Sequence, residues 1–119
     1  MSYQKYHSEK TIVDGIEFDS RLEAERYIQL KLLKQAGEIN HLSLQEEFQI
    51  TRGWTNPETG EKTRSRFYRA DFCYFDLKAQ KWIAEDTKGV ETADFKLKWT
   101  LVRKQYPDYE FRKLTRSDV

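Results

Sequence analysis

The 119-residue sequence predicts one α/β domain: a mixed sheet flanked by two helices, with a β-hairpin at the N-terminal end. Three observations predict it. Two stretches carry apolar residues at helical spacing and end at Gly37 and Pro107, short β-prone runs lie between and around them, and the length supports one core but not two. The element order is hairpin, helix, strand, strand, strand, helix, strand, without internal repeat, linker or low-complexity segment.

Residues 1–10 are polar. In Thr11–Phe18, Asp14-Gly15 separates two short β-prone runs, a strong two-residue hairpin signal. Asp19-Ser20 then opens the first helix, with Leu22, Tyr27, Ile28, Leu30, Leu33 and Ala36 as its apolar stripe and Gly37 as its stop. Ser20 and Glu23 have the spacing of a capping box, in which each side chain satisfies a free backbone amide of the other. Leu42–Thr51 reads as one strand with Leu44, Glu46, Phe48 and Ile50 on a shared face. Residues 52–64, with Gly53, Asn56-Pro57 and Thr59-Gly60 among Arg and Lys, have the chemistry of a loop.

Two β-rich runs, Arg66–Phe75 and Lys81–Lys88, flank a short polar segment and predict an antiparallel hairpin. Thr92 caps a second helix from Ala93 to about Lys104, where Phe95, Leu97, Trp99, Leu101 and Val102 give apolar cover and Lys96, Lys98, Arg103 and Lys104 make the remainder basic. Tyr109–Leu114 is the closing strand.

Aromatic residues make up 14% of the chain and lie in patterned segments, which predicts a folded rather than a disordered protein. No apolar run approaches the roughly 20 residues of a membrane span, and no signal-peptide core is visible. The single cysteine, Cys73, has no internal disulfide partner and reads as a small buried hydrophobe, while His7 and His41 lack ligand spacing; a reducing, cytoplasmic setting is expected. Net charge is +1, but residues 1–60 sum to −3 and 61–119 to +4, so a polyanion is better received by the C-terminal half.

The central hairpin carries the candidate chemistry. With its loop centred between Lys78 and Ala79, paired positions sum to 157 and Asp71 lies opposite Asp86. Like charges directly across a strand pair destabilise it, so two facing carboxylates suggest that a divalent cation sits between them. Alternation places Asp86 and Lys88 on one face and Glu85 on the other, which favours Asp86 over Glu85 as the partner of Asp71. Tyr68, Tyr74 and Trp82 read as packing residues.

Ser-Arg-Leu-Glu (Ser20–Glu23), Ala-Asp-Phe-Cys-Tyr (Ala70–Tyr74) and Glu-Asp-Thr-Lys-Gly (Glu85–Gly89) together resemble the PD-(D/E)XK nuclease superfamily, and more closely a group of small phage-encoded, resolvase-like proteins within it. The likeness spans roughly Tyr6 to Leu114, and departs from the superfamily's name at Ala70, where the proline would stand. It implies a restriction-endonuclease-like core and a metal-dependent DNA endonuclease acting in recombination, replication or packaging. It implies, too, that Asp71, Asp86, the Thr87 carbonyl and Glu23 hold Mg²⁺ or Mn²⁺ and that Lys88 serves the attacking water and the pentavalent phosphate; in some relatives, though not as a rule, a polar residue such as Gln45 approaches from the neighbouring strand. Similarity of the Ser-x-x-Glu helix to that of resolving enzymes implies selectivity for branched or Holliday-junction DNA; cutting both strands of a symmetric junction needs two sites, hence a homodimer. Two rivals belong to other classes: a DNA-binding module of the same fold without cleavage, and a protein-interaction subunit of a phage replication assembly.

Overall fold

Two of the expected strands are each broken in two, at the same level of the molecule. The computed structural model describes residues 9–87 and 91–119. Its elements are β1 (Thr11–Val13), β2 (Ile16–Phe18), α1 (Arg21–Gln35), β3 (Ile39–Leu44), β4 (Glu47–Thr51), β5 (Trp54–Thr55), β6 (Lys62–Thr63), β7 (Arg66–Arg69), β8 (Phe72–Asp76), β9 (Lys81–Thr87), α2 (Ala93–Gln105) and β10 (Tyr109–Leu114), followed by a 3-10 turn at Arg116–Asp118.

The central sheet is mixed, in the order β10-β9-β8-β3, with β10 parallel to β9 and the other pairs antiparallel. The β8–β9 register runs from Phe72 opposite Glu85 to Asp76 opposite Lys81, every pair summing to the expected 157. Phe72, Tyr74 and Ile83 face α1, packing with Ala24, Tyr27, Leu30 and Phe18. Cys73 and Ala84 face α2, packing with Phe95, Trp99 and Val102. The sheet thus has a helix on each face, as an α/β layer arrangement requires.

Leu42–Thr51 is not one strand. It divides at Gln45, whose φ of 57° lies in the left-handed region, into β3 in the central sheet and β4 in a separate pair with β7. Its partner run divides at Ala70–Asp71. The break is bonded across: the Gln45 amide donates to the Asp71 carbonyl (3.1 Å) and the Ala70 amide to the Glu46 carbonyl (3.0 Å). Face parity changes there, so Tyr68 and Ala70 join Cys73 in the α2-side core while Phe67 and Arg69 are exposed. Likewise Leu44 packs on the α1 side and Phe48 and Ile50 on the α2 side. Strict alternation fails because one residue per strand is spent on the corner.

Other corrections are smaller. Residues 52–64 contain the β5–β6 pair. Ile28 (43% exposed) and Ala36 on α1, and Leu97 (60%) on α2, face outward; the buried set is Glu23, Ala24, Tyr27 and Leu30 on α1 and Phe95, Trp99 and Val102 on α2. The β1–β2 turn has Asp14 and Gly15 both at positive φ, the geometry of a type I′ hairpin. Cys73 is buried, and burial pushes its thiol up to about 12.

Candidate functional site

Asp71 sits at the strand break, where the backbone leaves one sheet for another. Its amide donates to the Glu85 carbonyl at 2.9 Å, so Asp71 and Phe72 both lie against Glu85; the 157 register ends at the Phe72–Glu85 pair, and the expected pairing of Asp71 directly opposite Asp86 is not formed. Its side chain turns toward the end of β9: Oδ2 accepts from both the amide and the hydroxyl of Thr87, at 2.8 and 2.9 Å. Oδ1 is left facing the amide of Gln45, whose Nε2 lies 3.5 Å away, at the outer limit of a hydrogen bond.

Glu23 arrives from the first turn of α1. Ser20 caps that helix by accepting from the Glu23 amide at 3.1 Å, but the reciprocal bond goes elsewhere: Glu23 Oε2 accepts from the Asp19 amide at 3.3 Å. Glu23 Oε1 accepts from Gln45 Nε2 at 3.2 Å. Gln45 therefore bridges the Glu23 and Asp71 carboxyl groups. Burial and then the Asp71 charge raise the Glu23 carboxyl from its ordinary 4.5 to about 7. Among the described residues no Lys or Arg pairs with either acid.

Asp86 is buried on the α2 side of β9, where its Oδ2 accepts from the Tyr68 hydroxyl. Tyr68 is held by Phe95, Trp99 and Phe111, with ring centroids 6.1–6.3 Å away. Burial and the Asp86 charge push the Tyr68 hydroxyl well above the usual phenol range, so it stays a donor. Asp86 also lines a cleft of about 330 Å³ whose wall includes Phe67, Arg69, Thr92 and Lys98. Glu23 and Gln45 line a smaller crevice of about 90 Å³ beside β2. Among the described residues no three or more His, Cys, Asp and Glu side chains form a group set to hold one ion. Glu23 and Asp71 form a pair, and Asp86 looks onto the α2 side. Lys88 lies outside the described residues.

Glu85, the neighbour of Asp86, has the opposite environment. It is fully buried against α1, where Arg26 donates to it through Nε (2.7 Å) and Nη2 (2.6 Å) and the Tyr74 hydroxyl donates as well. A bidentate guanidinium and a phenol saturate this carboxylate and tie α1 to the sheet. Sequence reasoning missed Arg26, although its place three residues after Glu23 puts it beside the buried face of α1. It also read Tyr68 as packing alone; no local signal marks its bond to Asp86, because that contact depends on the strand break.

The family model that matches the chain is described as a protein of unknown function, DUF1064, and it covers residues 3–118. The chain belongs to this family. No curated protein and no solved structure matches it. DUF1064 membership covers every residue of the candidate site, so the site belongs to the family domain itself. Among the described residues no helix is long and apolar enough to cross a membrane.

The acceptors named here are all oxygens: two carboxylates bridged by an amide, the backbone of Thr87, and Asp86 in a separate cleft. Such a donor set suits a hard divalent cation and not a soft one. Two neighbouring carboxyl groups, one shifted to about 7 by burial and by the other, form a place where added positive charge is favourable. Glu23 and Asp71 are of the ligand type that a hard cation such as Mg²⁺ or Mn²⁺ takes.

Proposed function

We propose that this DUF1064 protein is a metal-dependent DNA endonuclease with a restriction-endonuclease-like core of the PD-(D/E)XK class. The observation that carries the reading is the placing of Asp71. It is fixed by Thr87, one residue beyond Asp86 on β9, and joined through Gln45 to Glu23 on the capping turn of α1.

In this reading Asp71, Asp86, the Thr87 carbonyl and Glu23 hold the cation. When bound, Mg²⁺ would polarise a phosphoryl oxygen and lower the pKa of its water. The chain's own residues prepare that chemistry. Thr87 pins one oxygen of Asp71, so the other keeps a defined direction. Tyr68 fixes the rotamer of Asp86 and excludes water from behind it. Glu23, shifted to about 7, is ready to give up a proton when positive charge arrives. Lys88, two residues beyond Asp86, supplies the positive charge that the pentavalent phosphate needs. The substrate is DNA, with branched or junction DNA preferred and a homodimer supplying paired cuts.

A second reading, a DNA-binding module of the same fold that does not cut, is favoured by the separation of Glu23 and Asp86 into different crevices. Incubating supercoiled plasmid with wild type and with Asp71→Asn in Mg²⁺, Mn²⁺ or chelator separates the two. Nicking by wild type alone, and only with metal, supports the nuclease; DNA retention without nicking under any condition supports the module.

A further inference from the structure

Beyond the strand break, β4 and β7 continue past a kink into β5 and β6, forming one hairpin arm from Glu47 to Arg69. At the kink the Gly53 amide (2.8 Å) and Gln49 Nε2 (3.2 Å) both donate to Ser65 Oγ. Its tip is closed by Asn56, whose amide donates to the Glu61 carbonyl (2.8 Å) and whose Oδ1 accepts from the Glu58 amide (2.8 Å). The arm is thus a built ribbon and not a slack loop. From Thr51 to Arg66 every residue except Asn56 and Ser65 is exposed, including Trp54 at 56%.

Between residues 52 and 66 the arm carries four cations against two exposed glutamates, Glu58 and Glu61. Arg52, Lys62, Arg64 and Arg66 have no carboxylate partner among the described residues, whereas Arg69 at the base pairs with Glu47 at 3.4 Å. Four cations outside any ion pair among the described residues, on the same two-stranded ribbon as an exposed indole, leave the arm net positive beside its two glutamates, a surface suited to a polyanion. A two-stranded ribbon also has the width that a DNA major groove admits. The arm is continuous with the candidate site, because Phe67 and Arg69 at its base line the cleft that holds Asp86.

We propose that the 52–66 arm is a duplex-DNA clamp, in which Arg52, Lys62, Arg64 and Arg66 engage phosphates while the ribbon lies along a groove and leads the duplex to the cleft beside Asp86. The inference rests on the nuclease reading for its substrate, but its test does not require cleavage. The probe is a fluorescently labelled 25-base-pair duplex, titrated by anisotropy in chelator from 50 to 200 mM salt. The proteins are wild type, the quadruple Arg52→Ala, Lys62→Ala, Arg64→Ala, Arg66→Ala, and a charge-keeping triple Arg52→Lys, Arg64→Lys, Arg66→Lys.

Four phosphate contacts correspond to a slope of about −3.6 in log K against log salt. The quadruple variant should bind at least about tenfold more weakly at 100 mM salt and lose a slope of about 3 to 4, and the triple should keep the wild-type slope. Unchanged circular dichroism checks folding, and the single Arg64→Glu, at a position between β6 and β7, should weaken binding on its own. Equal affinity and slope for wild type and both charge-removing variants would overturn the clamp while leaving any cleavage untouched. So would a wild type that shows no salt-dependent DNA binding, the result expected if the arm docks a protein. Binding through the arm without cleavage in any metal would overturn the nuclease reading and keep the clamp.

Discussion

Asp71 and Thr87 are joined twice through a single oxygen: Oδ2 of Asp71 accepts both the backbone amide and the side-chain hydroxyl of Thr87. The amide bond would form with any residue at position 87 except proline, but the hydroxyl bond needs Ser or Thr. Thr87→Val keeps the shape and removes that bond, so it should lower unfolding free energy by about 1 kcal/mol. It should also raise the Mn²⁺ concentration needed for half-maximal nicking, because one freedom of the Asp71 carboxylate is restored. Urea denaturation and a metal titration of plasmid nicking read the two effects separately.

Arg26 and Glu85 form the buried ion pair that fastens α1 to the sheet. Arg26→Ala leaves a fully buried carboxylate with only the Tyr74 hydroxyl, and should cost about 3–5 kcal/mol. The double variant Arg26→Met, Glu85→Leu removes both charges and should recover most of that loss. Chemical denaturation of the two variants checks it; equal destabilisation by both would show that the pair is not what holds the helix.

Glu23 makes stability depend on pH in a defined direction. Its folded carboxyl titrates near 7 against an ordinary 4.5, so between these values the folded state holds a proton that the unfolded state has released. The resulting contribution is complete below about pH 4.5 and is lost as pH rises through about 7. In chelator, therefore, the wild-type melting temperature should fall across this window relative to that of Glu23→Gln. Mn²⁺ at pH 7.5 should raise the wild type and not the variant. Parallel pH profiles for the two proteins would contradict the assignment.

Much of this architecture was legible in the sequence. Asp14-Gly15, the Ser20 and Thr92 caps, Gly37 and Pro107 announced the hairpin and both helices, because turns and helix ends are set by local chemistry. The 157 register of β8 and β9 was legible for the same reason, since a short polar loop fixes the pairing that follows it. The corner at Gln45 and Ala70–Asp71 was not. Nothing local forces a glutamine to positive φ; the corner exists because Phe48, Ile50 and Tyr68 reach the α2-side aromatic core only if both strands leave the central sheet together. That long-range demand also decided the site. It moved Tyr68 onto Asp86 and set Gln45 between Glu23 and Asp71. Likewise Glu23 was readable as the reciprocal member of a capping box, and in the structure its carboxyl instead accepts from the Asp19 amide through one oxygen and from Gln45 through the other.

The central claim, that the acids around Asp71 serve phosphodiester hydrolysis, is tested most directly by comparing wild type and Asp86→Ala on supercoiled, linear and four-way-junction DNA, with and without Mn²⁺. The account predicts metal-dependent cleavage by wild type, most rapid on the junction, and at least a hundredfold slower cleavage by Asp86→Ala at unchanged circular dichroism, about 2.7 kcal/mol of transition-state stabilisation. A wild type that cuts none of the three, or an Asp86→Ala protein that cuts them equally well, would contradict it.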